Sequence, residues 1–433
     1  MATRTKNKKS TQRIPADIKA LQEEALKLHG EGVVVMGNKK PLANHIPTGV
    51  FILDFALLGG LAQGYVAMGY GYESCGKTTQ FLKVAANYQK KHPNMWVGWI
   101  DAEGMYDPLW AEKNGLDPNR IIVSQPEYGE LAVDIYEDML TRESIGLIVV
   151  DSIPSIVPMK VIENSAEDDT MAAGARLMGK LCSKLTMGNN KERRKGHWTT
   201  TLLINQWRTK VGFVMGDPRV LPGGRQINHI PTTKIELKKI KTHLTKDSCG
   251  NEVALMDECA FKLEKVKHGQ SLRTGEFQLY LSADNEMEVP EGMVDNISTV
   301  TAFAKKMGFV RGGGTSWRLL TENVKLKSKL AVEAFTAKHE ARNEKLVKAD
   351  KKPLEIDEEL LEKVRTDNLE IRKFRTLDSI KGYLRSEQEE YECLARSLIS
   401  AQRVSKGLPA LPPDGYLVAQ GGRLVTTEHV EAL

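Results

Sequence analysis

The chain has 433 residues, 41% hydrophobic and 27% charged, with a net charge of +5. That is too long for one ordinary domain and apolar enough for a real core, so two or three domains are expected. Five scattered cysteines with no CxxC exclude a disulfide framework and a zinc ribbon and fit a reducing compartment. No secretory signal is read in residues 1–21, and no apolar run reaches the roughly 18 residues of a membrane span. A cytoplasmic protein with no membrane partner is therefore expected.

Residues 1–16 read as a basic flexible tail, with Arg4, Lys6, Lys8, Lys9 and Arg13 and no acid before residue 14. It would either touch nucleic acid or keep the terminus solvated. Asp17 to Leu28 has a helical stripe, with Asp17 as a cap and Gly30 as a stop. Val33 to Met36 reads as a short strand. A lone helix and strand over 17–45 must pack on something, either their own domain or a neighbouring subunit.

The core is expected over 46–290. Apolar runs at 65–70, 95–100, 121–124, 145–150 and 200–205 read as strands, with helix-length runs at 79–90 and 129–140 between them. This predicts an α/β fold with a largely parallel sheet flanked by helices. Thr233 to Ile240, Ala260 to Lys267 and Phe277 to Leu281 predict an antiparallel extension. Residues 291–405 predict an α+β C-terminal domain. It has a helix, a glycine turn at 312–314 and a strand at 317–320, then a charged insertion over 324–376 and an amphipathic helix over 377–400. A loose tail follows from 406 to 433.

The stretch Gly71-Tyr-Glu-Ser-Cys-Gly-Lys-Thr78 has the spacing GxxxxGK[ST] between an apolar strand and a helix. A phosphate chain needs backbone N–H groups, a cation and a hydroxyl at that spacing. Gly71 and Gly76 allow the tight turn, Lys77 reaches the β- and γ-phosphates, and Thr78 offers its hydroxyl to Mg²⁺. The bland alternative is a chance glycine turn. Asp151 ends the 145–150 run and suits the metal, or else a cap. Glu103 ends the 95–100 segment and suits an in-line water, although strand ends often carry acids. Trp110, near Asp107, would cover a purine or sit in the core.

Gln206 ends another strand, where its amide can sense a γ-phosphate. The loop after it holds Arg208, Lys210, Arg219 and Arg225 among Gly212, Gly216, Gly223 and Gly224. Basic side chains on permissive backbone suit a phosphate backbone, and Phe213 suits base stacking. The alternative is a solvated lid. The run Asn189 to His197, NNKERRKGH, reads as a DNA-binding insertion or an exposed hairpin.

GYESCGKTT, IDAEGMYDP, VVDS, INQWRTKVGFVMGDP…PGG and FKLEKVKHG together resemble the RecA family of homologous-recombination ATPases, nearest its bacterial and phage branch. The resemblance covers roughly 17–323 and returns faintly at 377–398. It implies a P-loop core in which Gly71, Ser74, Cys75, Gly76, Lys77, Thr78 and Thr79 hold ATP, and Thr78 and Asp151 hold Mg²⁺. Glu103 would polarise water and Gln206 would couple the γ-phosphate to DNA. Asp107 and Trp110 would contact adenine. Residues 153–170 and 207–229 would be DNA loops, with Arg176, Arg208, Gly223 and Gly224 as further DNA positions. Lys265 and Lys267, two residues apart on a strand and hence on one face, would reach a neighbouring subunit's ATP.

The resemblance also implies a helical homo-oligomer on single-stranded DNA that pairs with homologous duplex, with single-strand-binding and loader proteins as further partners. Departures are Cys75 in place of a small hydroxyl residue, which would make activity thiol-sensitive, and His229 in place of phenylalanine. The C-terminal tail carries no dense acidic run. Rival readings are a hexameric helicase or repair motor on the same core, and a nucleotide-gated scaffold.

Overall fold

The protein, represented by a computed structural model, is described at residues 14–30, 33–34, 43–163, 171–210, 216–247, 249–267, 273–283, 289–319, 335–341, 343 and 372–411. The basic arm at 1–13, Phe213, and nearly all of 324–371 lie outside these residues.

A strand buried on both faces must be apolar throughout, and those of the core are. After α1 (Ala16–His29), a small pair β1 (His45–Ile46) and β2 (Leu61–Ala62) brackets α2 (Phe51–Leu57). The core then runs β3 (Val66–Gly71), α3 (Lys77–Lys91), β4 (Trp96–Asp101), α4 (Pro108–Lys113), β5 (Ile121–Ser124), α5 (Gly129–Leu140) and β6 (Ile145–Asp151). Helices α6 (Met159–Glu163), α7 (Met171–Ser183) and α8 (Asn189–Arg194) precede β7 (Thr200–Gln206). A small hairpin, β8 (Arg208–Thr209) with β9 (Arg219–Val220), and α9 (Gly224–His229) lead to β10 (Thr233–Lys246), β11 (Glu252–Val266) and β12 (Thr274–Tyr280).

These make one eight-stranded sheet in the order β12-β11-β10-β3-β7-β6-β4-β5. It is parallel from β10 to β5 and antiparallel from β10 to β12. Alternate side chains serve opposite faces. Leu147 and Val149 pack with Phe81, Val84 and Ala85 of α3, whereas Ile148 and Val150 pack with Val133 and Tyr136 of α5 and Leu177 of α7.

A third apolar cluster joins α2 to α10 (Asn296–Lys306), to the sheet β13 (Val310–Gly313), β14 (Ser316–Leu319) and β15 (Arg372–Phe374), and to α11 (Leu377–Ser386) and α12 (Gln388–Ser405). Asn296 fixes the seam. Its Oδ1 accepts from the Phe51 N–H and its Nδ2 donates to the Gly49 carbonyl, both at 2.8 Å. Arg403 donates to the Leu58 carbonyl at 2.7 Å.

Several local expectations change. The single helix expected over 377–400 is two, broken at Glu387, whose φ −113° and ψ 83° leave the helical region; both pack in one apolar cluster with α10. Asp17 lies inside the first turn of α1 and caps nothing, whereas Gly30 does end it at φ 81°. Val33 and Val34 form a bend, and the rest of that expected strand lies outside the described residues. The run 189–197 is no hairpin: it continues α7 as α8, with Asn189 and Glu192 buried.

Lys83 on α3 is buried, and its ammonium nitrogen donates to the Gly292 carbonyl. Burial alone lowers its pKa to about 7. In the unfolded chain it keeps a value near 10.4. Between these values the unfolded state binds more protons, so this group makes stability rise with pH from about 7 towards 10. Lys83→Met removes that dependence. Urea unfolding from pH 6 to 9 should show the parent gaining on the variant, by up to about 1.4 kcal/mol per pH unit.

Candidate nucleotide and DNA site

Four neighbouring parallel strands end on one rim of the sheet, where α/β sheets place their ligands. From β3 comes the glycine loop, from β7 Gln206, from β6 Asp151 and from the turn after β4 Glu103. A Cβ on Gly71 would lie 2.2 Å from the Leu237 carbonyl oxygen, so only glycine lets β3 run this close to β10. Ser74 and Gly76 take positive φ, 56° and 81°, and turn the loop into α3. The orphan N–H groups of α3 then face the loop, a favourable place for an anion.

Lys77 is buried, and its Nζ donates to the Tyr72 carbonyl at 2.6 Å within the loop. Thr78 Oγ1 donates to Asp151 Oδ2 at 2.9 Å. The Asp151 carboxyl is pushed up to about 7, first by burial and then by Glu103 and Asp101; Thr78 and Lys77 pull it back. A hydroxyl and a carboxylate in contact, crowded by further acids, form a donor set that suits a hard cation such as Mg²⁺.

Glu103 Oε1 gathers three donors: Gln206 Nε2 at 3.2 Å, Ser155 Oγ at 3.4 Å, and Ser152 Oγ in a short bond. Asp101, buried just before it, accepts from Met105 N at 3.1 Å, Tyr106 N at 2.9 Å and Gln125 at 2.9 Å, and so fixes the turn that carries Glu103. Sequence reasoning missed Asp101, Ser152 and Ser155. Their signal was adjacency to Glu103 and Asp151 at strand ends. Asp107 spends Oδ1 capping α4, and Trp110 Nε1 donates to Thr79 Oγ1 at 3.1 Å, which sets both beside the start of α3.

The loop after Gln206 is held by an aromatic ladder. Trp207 meets Tyr70 of β3 edge-on at 5.2 Å, the Arg219 guanidinium lies 5.0 Å over Trp207, and the Lys234 ammonium lies 5.1 Å over Tyr70. Glu236 accepts from Trp207 Nε1 at 3.2 Å, and Glu264 binds Tyr70 at 2.6 Å and Lys234 at 2.7 Å. Arg219 is also clamped by both oxygens of Asp217, whose carboxyl falls to about 2 for that reason. Arg219 thus has carboxylate partners already, while Arg176, Arg208, Lys210 and Arg225 are exposed. Gly223 and Gly224 take φ 87° and 77° where α9 begins.

Lys265 pairs in register with Lys234, which faces Met68, whereas Gly71 faces Leu237. Three residues along the strands, about 10 Å, and two inter-strand steps of about 4.8 Å across them therefore separate Lys265 from the loop of its own chain. Lys267 lies just past β11, but the register shift at Glu264 precedes Lys265, and Lys267 N–H donates to the Thr232 carbonyl at 2.9 Å, so the pairing with β10 runs on regularly from Lys265. Lys265 Nζ donates to the His229 carbonyl at 2.6 Å, and its pKa is lowered by burial and by Lys267 and Lys234.

A glycine loop between β3 and α3, with a hydroxyl in the first turn of α3 against a carboxylate at the tip of β6, defines a P-loop α/β protein. The RecA N-terminal domain family matches residues 17–284. Protein RecA of Mesomycoplasma hyopneumoniae (strain J) is 38% identical over 224 residues, 51% of this chain and 64% of that protein. Those of Streptomyces ambofaciens and Clostridium acetobutylicum are 34% and 32% identical, covering 66% and 72% of this chain and 72% and 89% of theirs. The chain belongs to the RecA family of P-loop recombinase ATPases. It spans just under two thirds of the length of the Mesomycoplasma protein. Among the described residues no helix is long and apolar enough to cross a membrane.

The expected thiol sensitivity at Cys75 meets a packed side chain: Cys75 is buried, with its thiol pushed up by burial. Cys182, Cys259 and Cys393 are buried as well, and Cys249 is exposed. Thiolate and access both govern reactivity. Ellman's reagent should therefore titrate about one thiol rapidly in the folded protein, and Cys249→Ser should abolish that fast phase; rapid labelling of Cys75 would contradict the packing.

Proposed function

We propose that the protein is a DNA-dependent ATPase that forms an ATP-stabilised helical filament on single-stranded DNA. It pairs that strand with homologous duplex and promotes exchange. The observation that carries this reading is the meeting of Gln206 and Glu103 at 3.2 Å, directly before a basic loop. One side chain then touches both the carboxylate that would orient water and the chain that would touch DNA.

In this reading the loop 71–79 cradles the phosphates and Lys77 exchanges the Tyr72 carbonyl for a phosphate oxygen. Thr78 and Asp151 hold Mg²⁺, which supplies charge neutralisation at the phosphates when bound. Glu103 accepts a proton from, or aligns, the attacking water, and Ser152 and Ser155 keep its carboxylate aimed. Asp107 and Trp110 flank the adenine. Arg176, Arg208, Lys210 and Arg225 contact phosphate without reading sequence, because pairing supplies recognition. Lys265 and Lys267 act on the nucleotide of the next subunit, which makes ATP part of the subunit contact. Residues 17–45 pack on that neighbour, and single-strand-binding and loader proteins are further partners.

Glu103→Gln keeps the shape and should leave nucleotide binding intact while DNA-stimulated phosphate release falls by roughly 10²-fold. Unchanged turnover would move the role elsewhere. The double variant Lys265→Ala, Lys267→Ala should fold, by circular dichroism, yet lose ATP-stabilised filament length and DNA-stimulated hydrolysis together. Electron microscopy with an ATP analogue and single-stranded DNA separates the rivals: continuous helices support the filament, and closed rings a helicase.

A further inference from the structure

Trp207 joins the two loops of the rim directly. Its N–H donates to the Gly71 carbonyl at 3.1 Å, which carries the ladder between β3 and β7 one residue past Gln206. Its ring meets Tyr70, the residue before Gly71, edge-on at 5.2 Å. Its indole N–H reaches Glu236 of β10 at 3.2 Å. The Arg219 guanidinium lies over the ring at 5.0 Å, and Arg219 belongs to the return strand of the hairpin, paired with Thr209. One half-buried residue thus touches the strand that enters the glycine loop, the strand beside it, and the hairpin that follows Gln206. None of these contacts passes through Gln206 or Glu103.

The glycine loop has a choice of partners at this point. Lys77 Nζ donates to the Tyr72 carbonyl at 2.6 Å, one residue past the carbonyl that holds Trp207. A nucleotide phosphate competes for the same ammonium. Its binding therefore releases the Tyr72 peptide next to the bond between Gly71 and Trp207. An edge-on aromatic pair and a cation over a ring are both short in range and sensitive to orientation. The ring's partners are also fastened to one another: Arg219 is held by Asp217 at 2.7 Å and lies 3.7 Å from Glu236. A shift of the ring is thereby passed to the hairpin.

We propose that Trp207 is a positioning residue that passes the nucleotide state of the glycine loop to the hairpin bearing Arg208, beside the contact of Gln206 with Glu103. The inference rests on the ATP-dependent DNA binding proposed above. It adds a second contact, made of an aromatic ring and a backbone bond, through which nucleotide and DNA affect each other.

The test uses the full chain, single-stranded DNA and a non-hydrolysable ATP analogue. The coupling factor is the ratio of DNA affinities with and without the analogue; nucleotide affinity with and without DNA must give the same factor. Trp207→Leu should lower that factor by about fivefold, the value of one aromatic pair, and leave DNA affinity without nucleotide within about twofold of the parent. Trp207→Phe keeps a ring between Tyr70 and Arg219 and should retain most of the factor. Circular dichroism checks both folds. The difference in tryptophan emission between the parent and Trp207→Phe isolates Trp207 from the other tryptophans, and it should change when the analogue is added without DNA. Equal loss of DNA affinity with and without the analogue would make Trp207 an ordinary DNA contact and overturns the proposal. So does an unchanged factor in Trp207→Leu, an equal fall in both variants, or an emission difference indifferent to the analogue. If the parent's own DNA affinity ignores the analogue, the filament reading falls as well; if the parent responds and Trp207→Leu responds alike, this inference alone falls.

Discussion

Parallel pairing is the constraint on which the site depends. Parallel strands share a direction, so their C-terminal ends share a rim, and groups far apart in sequence arrive together. Lys77, Glu103, Asp151 and Gln206 need no long loops to meet, because β3, β7, β6 and β4 are neighbours and end together. Burial of both faces makes this arrangement stiff. The apolar strands that hold the rim are also what raises the Asp151 carboxyl, by removing water from it. A cation is the natural remedy for such a cluster of acids.

The loop after Gln206 depends on a different interaction. Its base is held to β3 by the stacked set Lys234, Tyr70, Trp207 and Arg219, with Glu236 and Glu264 closing the charges. Tyr70 immediately precedes the glycine loop, so that loop and the loop after Gln206 share one rigid strand end. Lys265 of β11, two strands from β3, ties down the other end of the segment through the His229 carbonyl. His229 therefore sits on a backbone that is already fastened, and its imidazole is exposed.

Much of this was legible from the chain. Strands β3, β4, β6 and β7 announce themselves as apolar runs, and the candidate site residues lie at or shortly after their C-terminal ends. The antiparallel extension was legible too, although β10 and β11 run further than their apolar segments because charged residues pair across the hairpin. What stayed hidden depends on contacts distant in sequence. Ser152 and Ser155 gain meaning only once Glu103 lies against them, and the clamp of Asp217 on Arg219 cannot be read from a basic composition. The run 189–197 misled because charge suggested exposure, whereas Asn189 and Glu192 face inward on a continued helix. The break at Glu387 falls inside one continuous amphipathic pattern, which is why the pattern read as a single helix.

The position of β3 has a consequence for how the chain is made. This strand carries the glycine loop, yet its neighbours on either side are β7 and β10. Neither exists on a ribosome until well over a hundred further residues have been translated. Even then α2 waits for Asn296 to accept its first N–H. Non-local pairing of this kind is slow, and unpaired strand edges invite association. The nascent chain must therefore carry its most functional strand with two open edges through much of its synthesis, and chaperone contact during translation is the natural guard for it.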